Sequence, residues 1–105
     1  LAPGERVEVL VRDEAMRADV DARLRAAAVA MAQVRLHVIP SNDAWMRDHG
    51  PTFVVRDTPA GPELGGVDWL YNAWGGKYPP YDLDEKIATR VLEIAGARRF
   101  APGIV

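Results

Sequence analysis

The chain has 105 residues, 49% of them hydrophobic and 27% charged, with a net charge of −2 and no cysteine. That length is one small domain, and that balance excludes disorder and leaves no positive field to attract nucleic acid or an anionic membrane. No apolar run reaches the roughly 18 residues of a membrane span, and the first ten residues lack the pattern of a secretory leader. Val7–Val11 (VEVLV), apolar at 7, 9, 10 and 11, reads as a mostly buried strand. Asp13 offers a carboxylate to cap a helix. Behind it Met16, Val20, Leu24, Ala27 and Met31 fall on one stripe, which predicts a helix over about 14–33. VRLHVI (34–39) is the next strand, stopped by Pro40 and joined to the first by a right-handed crossover between parallel strands.

Residues 40–50 (PSNDAWMRDHG) show no period and are dense in polar groups, so this stretch is the leading candidate for a functional loop. A strand resumes over 51–56 and a polar turn at 57–62 leads to another over 64–71, making 51–71 a hairpin. Residues 72–81 (NAWGGKYPPY) form a loop. Asp82 and Glu85 have capping-box spacing ahead of a helix with Leu83, Ile87, Val91 and Ile94 on its apolar stripe, closed by Gly96. A short strand follows at 98–100. The order β-α-β, then β-β-α-β, suggests repeated strand–strand–helix–strand units, the first without its opening strand.

The chemistry concentrates in 42–51 (NDAWMRDHGP). One reading is an Asx-rich turn in which Asn42 and Asp43 bond local backbone and Arg47 pairs with a carboxylate. The other is a cation site. Trp45 and Asp48 are three apart, so a tight turn brings ring and carboxylate to one side, and together they suit a guanidinium or ammonium group. Trp69, Tyr71, Trp74, Tyr78 and Tyr81 form an aromatic set around Gly75-Gly76-Lys77. Trp69 and Tyr71 are expected on one strand face in the core, whereas Trp74 lies in the loop and Lys77 is either solvated or paired with a carboxylate. His37 reads as structural. His49 beside Asp48 invites a metal, but two histidines without H-x-x-x-H spacing do not make a site, and none is expected.

The segments NDAWMRDHGPTF (42–53) and GVDWLYNAWGGKY (66–78) resemble the agmatine deiminases and the related bacterial peptidyl-arginine deiminases of the guanidino-group-modifying superfamily. The resemblance implies an α/β propeller of five strand–strand–helix–strand blades, of which this chain would carry about one and a half. Residues 1–40 would be part of a first blade and 51–105 most of a second, with the motif loop 40–50 between them. It implies hydrolysis of agmatine to N-carbamoylputrescine and ammonia through a cysteine thiolate, with no cofactor and no metal. The substrate would be a small guanidino compound, agmatine or peptidyl-arginine, and the intact enzyme a cytoplasmic homo-oligomer binding neither nucleic acid nor membrane. By motif, Asp48 is the guanidinium-binding carboxylate and Trp45 the ring against the substrate's carbon chain. Asp43, Arg47, Trp74 and Lys77 are weaker candidates. With no cysteine in these residues, covalent attack on the guanidino carbon has no agent here. The expectation is therefore a piece of a deiminase, inactive by itself. A non-catalytic cation- or arginine-binding α/β module is the alternative.

Overall fold

The computed structural model describes residues 2–105, which divide after Pro40 into two compact units. In the first, β1 (Val7–Val11) and β2 (Val34–Val38) pair in parallel, Val7 opposite Val34 and Val11 opposite Val38. Between them runs α1 (Glu14–Ala26), whose N-cap is Asp13: its Oδ1 accepts the Met16 N–H at 2.7 Å. The crossover between parallel strands and the cap agree with the sequence reading, but the helix ends seven residues earlier than 33. Ala28 takes a left-handed φ of +56°. The N–H of Val29 then donates to Leu24 O and that of Ala28 to Arg25 O, each at 3.0 Å, which is a Schellman motif. Ala27 and Met31 are therefore not on the helix. No residue of α1 is buried, and its flanks carry the ion pairs Asp19–Arg23 and Asp21–Arg25, both at 2.8 Å.

In the second unit β3 (Thr52–Thr58) and β4 (Gly61–Val67) form the expected antiparallel hairpin, and β5 (Arg98–Phe100) adds to β4 in parallel, giving the order β3-β4-β5. The turn is only Pro59–Ala60, because the ladder extends to Thr58 opposite Gly61. β4 stops at Val67, not 71. Asp68 ends it by turning its carboxylate inward, where it accepts from Thr89 Oγ1 at 2.6 Å and Arg99 Nε at 2.7 Å. Trp69 and Tyr71 therefore share no strand face. Trp69 is partly exposed and its indole N–H donates to Thr52 Oγ1, while Tyr71 is buried.

A short segment, α2 (Met46–His49), precedes β3, and a second, α3 (Ala73–Gly76), follows β4. A 3₁₀ turn over Asp84–Lys86 then leads into α4 (Ile87–Ala95), which Gly96 closes at φ +62°. The buried positions are Asp84, Ile87, Ala88 and Leu92; Ile94 is 44% exposed. Of the expected stripe Leu83, Ile87, Val91 and Ile94, only Ile87 is fully buried; the buried face is turned toward Ala88 and Leu92, which leaves Ile94 outside. The capping box does not form either: α4 has no side-chain cap, and the Glu85 N–H donates to Tyr81 O at 3.0 Å. Leu92 rests on Gly66, where any Cβ would overlap its side chain. That glycine is what lets helix and sheet approach.

Candidate functional site

The 41–50 loop makes one tight turn. The N–H groups of Asp48 and His49 both donate to Trp45 O, at 2.9 and 3.1 Å, which folds Trp45 and Asp48 onto one side. Asp43 bonds locally, its Oδ1 accepting the Ala44 N–H at 2.7 Å, as the Asx-turn reading has it. Asn42 does not. Its Oδ1 accepts from the N–H groups of Leu83 and Asp84, at 2.9 and 3.2 Å. In return Asp84 Oδ1 accepts from the N–H groups of Asn42 and Asp43, at 2.7 and 3.2 Å.

Trp74 reaches the same region from an unusual backbone. Ala73, Trp74, Gly75 and Gly76 all have positive φ, at +52°, +59°, +83° and +76°. The N–H groups of Gly76 and Lys77 donate to Asn72 O and Ala73 O, so α3 is one turn wound left-handed. Non-glycine residues there cost about 1–2 kcal/mol each, and such strain collects where a side chain must be aimed. Asn72 helps hold the turn, its Oδ1 accepting the Gly75 N–H at 2.9 Å. The Trp74 indole meets Trp45, Tyr71 and Tyr78 edge to face, with centroids 6.2, 5.9 and 5.8 Å apart. Each such pair adds about 0.5–1.5 kcal/mol beyond the area it buries.

These elements enclose an open cavity of about 390 Å³ lined by Asp43, Trp45, Asp48, Trp74 and Tyr78. Of the candidate residues, Asp48, Trp45, Asp43 and Trp74 line it and Arg47 and Lys77 do not. The Lys77 ammonium lies 5.5 Å from the Tyr78 ring centre. The ion pairs of this unit join Arg56 with Glu63, Arg90 with Glu93 and Arg99 with Asp68, and His49 lies 4.0 Å from Asp84. None among the described residues involves Asp43, Asp48 or Arg47, so the expected Arg47 pair is not formed; its guanidinium is exposed. Two carboxylates therefore face aromatic walls without a basic partner. Behind them the Tyr71 phenol is pushed above its ordinary value, first by burial and then by Asp84, Asp48 and Asp43.

Beneath the loop, His49 is 5% exposed, with Nε2 3.3 Å from Asp43 O and 4.0 Å from Asp84 Oδ1 and its ring edge-on to Tyr71. Asp84 and Tyr78 were not singled out from the sequence as site residues. Tyr78 could have been, as an aromatic two residues after Gly75-Gly76. Asp84 could not, because its partners lie more than forty residues away.

The whole chain, residues 1–105, matches the family described as Porphyromonas-type peptidyl-arginine deiminase. It is 46% identical over 79 residues to the agmatine deiminase of Pseudomonas syringae pv. tomato, which covers 71% of this chain and 21% of the relative. An X-ray structure provisionally named an agmatine deiminase superposes with a TM-score of 0.82 at 34% identity, over 95% of this chain and 27% of that one. The agmatine deiminase of Enterococcus faecalis, described as catalysing its reaction, gives 0.70 at 32%, over 90% and 24%. The mixed α/β fold thus matches deiminase structures over part of their length, and the chain spans about a fifth to a quarter of the proteins it resembles. This chain belongs to the Porphyromonas-type peptidyl-arginine deiminase family.

Proposed function

We propose that these residues form the cation-holding wall of a guanidine hydrolase of the agmatine deiminase type. The observation that carries the reading is the cavity in which Asp43 and Asp48, neither paired with arginine or lysine among the described residues, stand among Trp45, Trp74 and Tyr78. A guanidinium is flat, positive and forked. It matches a carboxylate through two parallel N–H···O bonds and an indole through its face. Asp48 would take the guanidino nitrogens and Trp45 the adjoining methylenes. In the intact protein, arranged as a five-bladed propeller, a thiolate from outside these 105 residues would attack the guanidino carbon. The S–C bond forms as a C–N bond breaks, and the leaving nitrogen departs as ammonia once protonated. Water then adds to the same carbon, the S–C bond breaks, and the ureido product leaves. The wall's part is to hold the positive group at fixed orientation against the nucleophile.

Calorimetric titration of the chain with agmatine, and with putrescine as an ammonium-only control, tests this reading. Agmatine is expected to bind more tightly. Asp48→Asn should weaken it by about tenfold or more, the worth of a charge-assisted bond of roughly 1.5–3 kcal/mol. Equal affinity for the two amines, or an Asp48→Asn variant that binds like the parent, would overturn it. Binding with no ammonia release is expected of the isolated chain.

A further inference from the structure

We propose that Asn42 and Asp84 are positioning residues for the cation site, acting together as a reciprocal clasp on the loop that carries Trp45 and Asp48. The proposal rests on the reading of that loop given above. Residues 41–45 have no helix or ladder to hold them, yet they carry the Asp43 carboxylate and the Trp45 indole that line the cavity and lead into the turn bearing Asp48. The clasp supplies what is missing. Each side-chain oxygen accepts two backbone N–H groups from the other's segment, Asp84 Oδ1 from Asn42 and Asp43, and Asn42 Oδ1 from Leu83 and Asp84. The shorter bond to Asp84, 2.7 Å, is in the charge-assisted range.

A helix-capping role does not account for this geometry. Asp84 stands at the start of the turn leading into α4, but its carboxylate bonds none of that helix's amides. It is 2% exposed, so its charge is taken out of water, and the loop amides are what compensate it. His49 closes the underside: its Nε2 lies 4.0 Å from Asp84 Oδ1 and 3.3 Å from the carbonyl of Asp43, whose side chain lines the cavity. The bonded amides are those of Asn42 and Asp43, three and two residues before Trp45. Release of the clasp would free the approach to the site while leaving the β3-β4-β5 sheet and α4 in place.

The test uses the 105-residue chain and its variants Asn42→Ala, Asp84→Ala and Asp84→Asn, with agmatine as the probe. Three readouts are followed: calorimetric affinity, the indole N–H resonance of Trp45, and amide exchange at residues 42 and 43. Asn42→Ala and Asp84→Ala are expected to weaken agmatine by about tenfold, shift the Trp45 resonance and speed exchange. Asp84→Asn, which keeps an acceptor oxygen, is expected to restore all three toward the parent. A merely structural loss of the buried charge would not be rescued in that way. Should Asp84→Ala fail to fold, Asn42→Ala decides, because its side chain is not buried. An Asn42→Ala variant with parental affinity and an unmoved Trp45 resonance overturns the clasp. If the parent chain does not bind agmatine, the cation reading fails, and the clasp is judged on the Trp45 resonance and the exchange rates alone.

Discussion

In both units a helix leaves one strand and returns to a parallel partner, yet α1 buries no residue whereas α4 buries Ile87, Ala88 and Leu92. The aspartates ahead of the two helices differ in the same sense. Asp13 caps its own helix through Met16, three residues on, while Asp84 spends its carboxylate on amides of residues 42 and 43. Charge follows the pattern. In the first unit Glu8, Asp13, Glu14, Asp19 and Asp21 each stand beside a base. In the second, Glu63, Asp68 and Glu93 also meet arginines, but Asp43 and Asp48 stand beside aromatic rings. Both units pair acids with bases, and the second also leaves two carboxylates among aromatic rings. A repeated topology therefore need not repeat a role.

The widest break between the units should appear in their helices. Leu92→Ala removes a side chain that is 1% exposed and packed on Gly66, and it should cost about 2–5 kcal/mol. Leu24→Ala, on the half-covered face of α1, should cost less than about 1 kcal/mol. Urea denaturation of the two variants side by side checks this. Equal losses would mean that α1 is held far more tightly than its exposure indicates.

The helix ends give a smaller effect of opposite sign. Both helices finish in a Schellman motif: Val29 N–H donates to Leu24 O after α1, and Ala97 N–H to Leu92 O after α4. Gly96 holds the left-handed position in the second, but Ala28 holds it in the first. Gly96→Ala should lose about 1 kcal/mol and Ala28→Gly should gain up to about 1 kcal/mol, because only glycine takes that φ without a steric penalty. Opposite shifts of the melting temperature are the expected result, and a loss in both variants would refute it.

That pair also shows what could be read from the residues. The end of α4 was legible because a glycine marked it, and the strand–helix–strand order was legible because apolar residues kept a period. The end of α1 was hidden because alanine fills a glycine position. The phase of α4 was hidden because two apolar stripes compete in it, and the buried one runs through Ala88, whose small side chain carries little signal. At the site, the i, i+3 spacing of Trp45 and Asp48 predicted that ring and carboxylate would share a side, and both line the cavity. The pairing of Asn42 with Asp84 had no local signal, since the sheet and the 3₁₀ turn create that neighbourhood only when folded. The left-handed turn under Trp74 was half visible: its two glycines permit positive φ, but nothing announced that Ala73 and Trp74 adopt it as well.

The smallest effect is a titration, and it sharpens the contrast in charge. Glu8 is held below its ordinary 4.5, chiefly by its hydrogen bond to His37. A lowered carboxylate contributes stability above its unfolded pKa and loses it as pH falls through the folded one. Tyr71 moves the other way from its ordinary 10.0, first through burial and then through Asp84, Asp48 and Asp43. A raised phenol contributes fully below its unfolded pKa, and that contribution disappears as pH rises through the folded value. Followed by its phenolate absorbance, Tyr71 should titrate above the ordinary tyrosine value, and Asp48→Asn should bring its midpoint down only slightly, because burial is the leading cause. A midpoint at the ordinary value in the parent chain would mean that burial and the three carboxylates together do not disfavour the Tyr71 phenolate.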